Sequence, residues 1–165
     1  MILIGLGANL PSPVGPPAAT ILAACQRLGE RAVRLLQLSP LYISAPQPAS
    51  DQPWFVNAVA RVDSHYEPND LLTVLHEVED EFGRVRAVRW GPRSLDLDLL
   101  AYGERVVAAA RPDALALPHP RLRFRRFVLR PLMDIAPGWR YPVSGQPVEQ
   151  LLAALGEADP VERLR

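Results

Sequence analysis

Asp96 and Asp98 stand two residues apart in Arg89-Trp90-Gly91-Pro92-Arg93-Ser94-Leu95-Asp96-Leu97-Asp98-Leu99-Leu100. Acidic and apolar residues alternate there with the period of a half-buried strand. In a strand, residues two apart share a face, so the carboxylates lie about 6.6 Å apart along it. Leu95, Leu97 and Leu99 turn to the core. Two carboxylates on one face repel unless a cation separates them, and hard divalent ions such as Mg²⁺ take oxygen ligands of this kind together with substrate phosphates. Arg84, Arg86, Arg89 and Arg93 crowd in immediately upstream. Guanidinium forks bind phosphate oxygens bidentately and stay charged. An acidic strand face or an arginine-rich loop can each be ordinary solvated surface. Their adjacency favours metal at Asp96 and Asp98 and phosphate at the arginines.

His119 lies in Leu117-Pro118-His119-Pro120-Arg121, where prolines hold the imidazole as a donor to a phosphate oxygen or leaving group. Phe55 and Phe127 are core residues by pattern, or the two sides of a slot for a flat heterocycle. Asn57 suits a ring edge with adjacent donors and acceptors. Glu79, within an apolar helix face, is ambiguous in the same way.

The chain has 165 residues, enough for one domain over 1–165 with residues 156–165 a loose tail. It is 48% hydrophobic and 22% charged, which argues against disorder. Net charge is zero, so bulk charge suggests neither nucleic acid nor membrane. All 18 basic residues are arginine, which excludes a Walker A lysine, a kinase strand lysine and a Schiff base. Eleven of them lie between Arg84 and Arg130 against four acids. The single cysteine, Cys25, excludes an internal disulfide and reads as a buried thiol. No secretory signal or membrane-length apolar run is seen, so a cytoplasmic protein is expected.

The elements that must position these residues follow from periodicity. Strands are expected over 1–8, over 32–44 with a break at Pro40, over 55–62 and over 95–102. Helices are expected over 16–30, over 68–82 with Asn69 as cap and Gly83 as stop, over 127–135 and over 147–155. Loops fill 9–17, 45–53, 83–94 and 117–126. This order predicts an α+β domain with helices on a mainly antiparallel sheet.

Four segments resemble the 6-hydroxymethyl-7,8-dihydropterin pyrophosphokinase family of folate synthesis. They are Gly5-Leu6-Gly7-Ala8-Asn9-Leu10, then Asp51-Gln52-Pro53-Trp54-Phe55-Val56-Asn57-Ala58, then Gly83-Arg84 through Asp98, and Leu117-Pro118-His119-Pro120-Arg121 through Leu129. The resemblance implies a ferredoxin-like three-layer α/β/α sandwich and transfer of pyrophosphate from ATP to the pterin hydroxymethyl group, leaving AMP. It implies two Mg²⁺ on Asp96 and Asp98, the metal lowering the pKa of the pterin hydroxyl, either by itself or with Asp98 accepting the proton. Arg84, Arg93 and His119 would contact the ATP phosphates, assisted by Arg86, Arg89 and Arg125. Trp90 would sit in a mobile loop and Glu79 near the nucleotide. Phe55 and Phe127 would stack on the pterin, Asn57 would bind its edge, and Ser44, Ala45 and Gln47 would complete the pocket. The implied partners are ATP and the pterin, with no nucleic acid and no membrane, and the protein acting as a monomer. Family members commonly carry Ser at Ala8, Tyr at Phe55 and Thr at Ser44. The rival reading is a ferredoxin-like nucleic-acid-binding module, in which aromatics and arginines on an open sheet face stack and pair with bases.

Overall fold

The computed structural model describes residues 1–84 and 89–165. The chain runs β1 (Ile2–Ala8), α1 (Pro17–Glu30), β2 (Arg34–Leu38), β3 (Tyr42–Ser44), β4 (Phe55–Asp63), α2 (Pro68–Glu81), β5 (Asp96–Tyr102), α3 (Arg126–Ile135), α4 (Val148–Ala154) and β6 (Val161–Arg163). One sheet has the order β5-β1-β4-β3-β6, and β2 pairs with β4 beside β3. Every pairing is antiparallel.

Alternation along the strands sends side chains to two separate cores. Ile4, Leu6, Leu95, Leu97 and Leu99 pack with Ile21 and Leu28 of α1 and with Leu71 and Leu75 of α2. Leu3, Val59 and Leu100 pack on the opposite side with Leu129 and Leu132 of α3 and Leu151 of α4. Each fully buried leucine contributes roughly 1.5–3 kcal/mol. A register shift at Leu3/Ile4 pairs Leu3 with Ala101 and Ile4 with Leu99, so Leu100 is the extra residue. The result is the expected three-layer α/β/α sandwich. α1 and α2 cover one face, and α3 and α4 cover part of the other.

Two local expectations change. Asn69 does not cap α2, because Pro68 takes the first helical position with its φ already set and Glu67 becomes the cap residue, without a side-chain cap bond. Gly83 does end the helix, with φ +80° just past Phe82. Residues 156–165 are not merely a loose tail. Val161–Arg163 extend the sheet by pairing with β3, Ser44 opposite Val161 and Tyr42 opposite Arg163. The segment carries its own backbone pairing there, although most of its side chains remain exposed.

Candidate active site

The site lies on the α3/α4 side of the sheet, toward one end of β1, β4 and β5. Register sets it out: Gly7 pairs with Asn57 on one side and Asp96 on the other, while Gly5 pairs with Val59 and Asp98. Directly paired residues share a face. Asn57, Gly7 and Asp96 therefore form a row, with Gly5 and Asp98 in the next. The glycines make a low floor between taller strands. A Cβ on Gly7 would stand 3.3 Å from the Asn57 Oδ1, and one on Gly5 would meet the Leu100 side chain at 3.4 Å.

Asp96 and Asp98 share this face as expected, each surrounded by cations. The Arg84 and Arg93 guanidiniums both donate to Asp96, Arg93 at 2.6 Å. Arg125 stands 3.5 Å from Asp98, and His119 Nε2 stands 3.8 Å from it on the other carboxylate oxygen. Burial, then the neighbouring Asp96 carboxylate, pushes the Asp98 carboxyl up to about 7 against the pull of Arg125, Arg93 and Arg84. Two crowded carboxylates, one resisting ionisation, fit a hard divalent cation. Among the described residues no third His, Cys, Asp or Glu joins them. Further oxygens must then come from water or substrate, as is usual for Mg²⁺ beside phosphates.

His119 is held by backbone on both sides. Its N–H donates to the Leu100 carbonyl at 2.8 Å, and its Nδ1 accepts the Arg121 N–H at 3.2 Å. With Nδ1 accepting, the neutral ring carries its proton on Nε2, facing Asp98. Burial, then Arg125, pulls the imidazole down to about 4. At neutral pH it is an uncharged donor aimed into the site.

Glu79, expected near the nucleotide, is 1% exposed and lies behind the acidic pair. Its Oε1 accepts the Leu97 backbone N–H at 2.7 Å and pairs with Arg84 at 2.7 Å. A buried carboxylate on α2 thus tethers β5 and holds Arg84 against Asp96.

Beside the acids is a cleft lined by Gly7, Ser44, Ala45, Gln47, Phe55, Asn57, Trp90, Arg93, Asp96, Arg125 and Phe127 among others, enclosing about 60 Å³. Ligand pockets usually run from ~300 Å³ upward, so a ligand of ordinary size fits here only with these walls further apart. Asn57 Nδ2 donates to Ser44 Oγ at 2.7 Å, and both are buried. That bond turns the Asn57 Oδ1 toward Gly7 and the cleft floor. A larger open groove of about 660 Å³ lies between α1 and β2, lined by Leu22, Cys25, Leu35 and Leu38. It holds none of the acidic pair or its arginines.

The structure brings together Ser44, Ala45, Gln47, Phe55, Asn57, Arg84, Trp90, Arg93, Asp96, Asp98, His119, Arg125 and Phe127. Arg89 lies 5.2 Å from the centre of the Trp90 ring. Arg86 lies outside the described residues. Sequence reasoning missed three positions. Buried Asn9 donates to Gln52 Oε1 and the Pro53 carbonyl, accepts the Arg93 N–H at 2.8 Å, and has its own N–H on the Arg93 carbonyl. Gln52 in turn donates to the Trp90 carbonyl at 2.8 Å. Arg121 lies over the Trp90 ring. The one available signal was a polar Asn9 straight after the glycine-rich strand, since its partners are 43 and 84 residues away.

A family model described as 7,8-dihydro-6-hydroxymethylpterin-pyrophosphokinase matches residues 3–137. A 2-amino-4-hydroxy-6-hydroxymethyldihydropteridine pyrophosphokinase of Pseudomonas aeruginosa is 47% identical over 153 residues, 93% of this chain and 90% of that one. The enzyme of the same name from Haemophilus influenzae is 41% identical over 81% of this chain and 79% of its own. Among solved structures, an HPPK-DHPS in complex with substrates aligns over 95% of this chain with a TM-score of 0.71 at 12% identity, a likeness of fold. This chain spans 43% of that one's length. The acids, arginines and cleft described above fall within the matched span, and the chain belongs to the 7,8-dihydro-6-hydroxymethylpterin-pyrophosphokinase family as a pyrophosphokinase of folate biosynthesis.

Proposed function

We infer that this protein transfers pyrophosphate from ATP to the hydroxymethyl group of 6-hydroxymethyl-7,8-dihydropterin, with Mg²⁺ held by Asp96 and Asp98, two ions being expected. The observation that carries this reading is the abutment of two different sites. The acidic pair with Arg84, Arg93, Arg125 and His119 suits a metal-bound triphosphate. The adjoining cleft, with Phe55 and Phe127 in its walls and the buried Asn57–Ser44 pair beside them, suits a flat polar heterocycle. Bound at Asp96 and Asp98, the metal would supply charge neutralisation across the phosphate oxygens.

The pterin hydroxyl oxygen forms a bond to the β-phosphorus and gives up its proton, for which Asp98 is the carboxylate at hand. The bond from that phosphorus to the oxygen bridging to the α-phosphorus breaks, and AMP leaves with the electron pair. The residues contribute position and charge, as is general for phosphoryl transfer. Arg84 and Arg93, which pair with Asp96, would supply their guanidiniums to the phosphate oxygens. His119 donates from Nε2 without adding a charge. Arg125 lines both halves, close to Asp98 and 5.5 Å from the Phe127 ring. The walls at 45–54 and around Trp90 part and re-close about the substrates.

The test is AMP formation from ATP and Mg²⁺, with and without the pterin, in the wild type and in Asp96→Ala/Asp98→Ala. Pterin-dependent AMP release that disappears in the double variant is expected. ADP in place of AMP, or AMP release indifferent to the pterin, would overturn the reading.

A further inference from the structure

Trp90 is a wall of the cleft and stands on the loop that leads into β5. It is 37% exposed and has φ +63°, a conformation that an aromatic residue adopts only when something else holds it. Among the described residues, two contacts from other loops supply that hold, besides Arg89 of its own loop 5.2 Å from the ring centre. From one side, Gln52 Nε2 donates to the Trp90 carbonyl, and Gln52 is itself bonded to Asn9. From the other, the Arg121 guanidinium lies 3.9 Å from the centre of the indole ring. This is well inside the range of cation–π attraction, and tryptophan is the strongest ring partner.

The setting of Arg121 makes the contact informative. Its neighbours include Arg125, Arg89 and Arg93, and burial beside them lowers the affinity of its guanidinium for a proton. Repulsion and desolvation would send a free side chain out to solvent. Its backbone is fixed by the bond to His119 Nδ1 and opens the single helical turn Leu122–Phe124. The side chain leaves a rigid base and ends on the indole face, among other guanidiniums and with Asp98 as its one acidic neighbour there.

We propose that Arg121 is a positioning residue for the pterin: it docks the Trp90 ring over the cleft and acts on the substrate only through that ring. The proposal rests on the pterin reading above. It assigns the loop after His119 a second task, joining the phosphate half of the site to the roof of the heterocycle half.

The experiment is a double-mutant cycle on the full chain with Arg121→Ala, Trp90→Ala and their combination. It is read twice. The first readout is independent of activity: ¹⁹F spectra of protein labelled with 5-fluorotryptophan, the Trp90 resonance assigned with Trp90→Phe. Arg121→Ala is expected to shift that resonance toward the solvent-exposed position and leave those of Trp54 and Trp139 in place. The second readout is steady-state kinetics. Arg121→Ala is expected to raise KM for the pterin about threefold to thirtyfold, with a smaller change in KM for ATP, and the combined variant is expected to be no worse than Trp90→Ala alone. Arg121→Lys keeps the charge and loses the flat fork, and should recover part of the loss. An unmoved Trp90 resonance would overturn the docking whatever the enzyme acts on. A moved resonance with additive kinetic losses, or with the loss falling on KM for ATP, would show that Arg121 meets the triphosphate directly and overturn the indirect role. A moved resonance in a protein that forms no pterin-dependent AMP would leave Arg121 docking Trp90 and would remove the pterin reading instead.

Discussion

Replacing Glu79 separates two duties of one buried carboxylate. In Glu79→Ala the Leu97 N–H loses its 2.7 Å acceptor in a strand interior with no route to water. An orphaned buried donor costs about 1–3 kcal/mol. Arg84 loses one of two carboxylates but keeps Asp96, so its loss is below the ~3–5 kcal/mol typical when a buried charge is left without any partner. About 3 kcal/mol in total is expected, and for a chain of this size that lowers Tm by roughly 6–12 °C. In Glu79→Gln the amide oxygen still accepts from Leu97, so about 1 kcal/mol and roughly 2–4 °C are expected. Activity should divide differently. Both variants weaken the hold on Arg84, Glu79→Ala by removing the acceptor and Glu79→Gln by removing its charge, so both should lower kcat, by about tenfold or more. Differential scanning calorimetry and AMP release on the same preparations make the comparison. A Glu79→Ala protein melting within 2 °C of wild type would refute the tether. A Glu79→Gln protein with unaltered kcat would refute the link from Glu79 through Arg84 to the reaction.

Gly7→Ala places a methyl group 3.3 Å from the Asn57 Oδ1. Pterin affinity measured by calorimetry should fall about tenfold, ATP affinity should hold, and Asn57→Ala/Gly7→Ala should bind no worse than Asn57→Ala; additive losses would refute the floor. The titrations of Asp98 and His119 work against each other. With the Asp98 carboxyl raised to about 7, its contribution favours the folded state at low pH and is lost as pH climbs from about 4 to 7. With the His119 imidazole lowered to about 4, its contribution is present above about 6.5 and is lost as pH falls toward 4. In metal-free protein, Asp98→Asn should therefore raise Tm at pH 7 and steepen its rise between pH 4 and 6.5. A Tm profile that Asp98→Asn leaves unchanged would refute the Asp98 assignment, and a variant profile flat between pH 4 and 6.5 would refute that of His119.

Period and punctuation located nearly every element, because those signals are local. The 1–8 and 95–102 strands, the 68–82 helix with its Gly83 stop and the break at Pro40 all follow from a few neighbouring residues. The Asp96/Asp98 pair was legible for the same reason: two residues apart in a strand means one face, whatever the strand packs against. Asn69 went wrong where two local signals competed and the fixed φ of Pro68 prevailed. The edge strand Val161–Arg163 was invisible because it has little burial of its own and is defined by what it pairs with.

The sequence by itself determined the chemistry on offer: carboxylates for a metal, guanidiniums for phosphate, aromatics and an amide for a flat ring. Only the tertiary structure decided how these are joined. Glu79 could not be assigned from its helix, because its partners are a backbone N–H on β5 and a guanidinium beyond the helix end. Asn9, Gln52 and Trp90 form one chain of hydrogen bonds across three loops, and Arg121 closes on Trp90 from a fourth. A local pattern fixes which face a side chain takes, whereas contacts between distant loops exist only once the sheet has brought those loops to the same end.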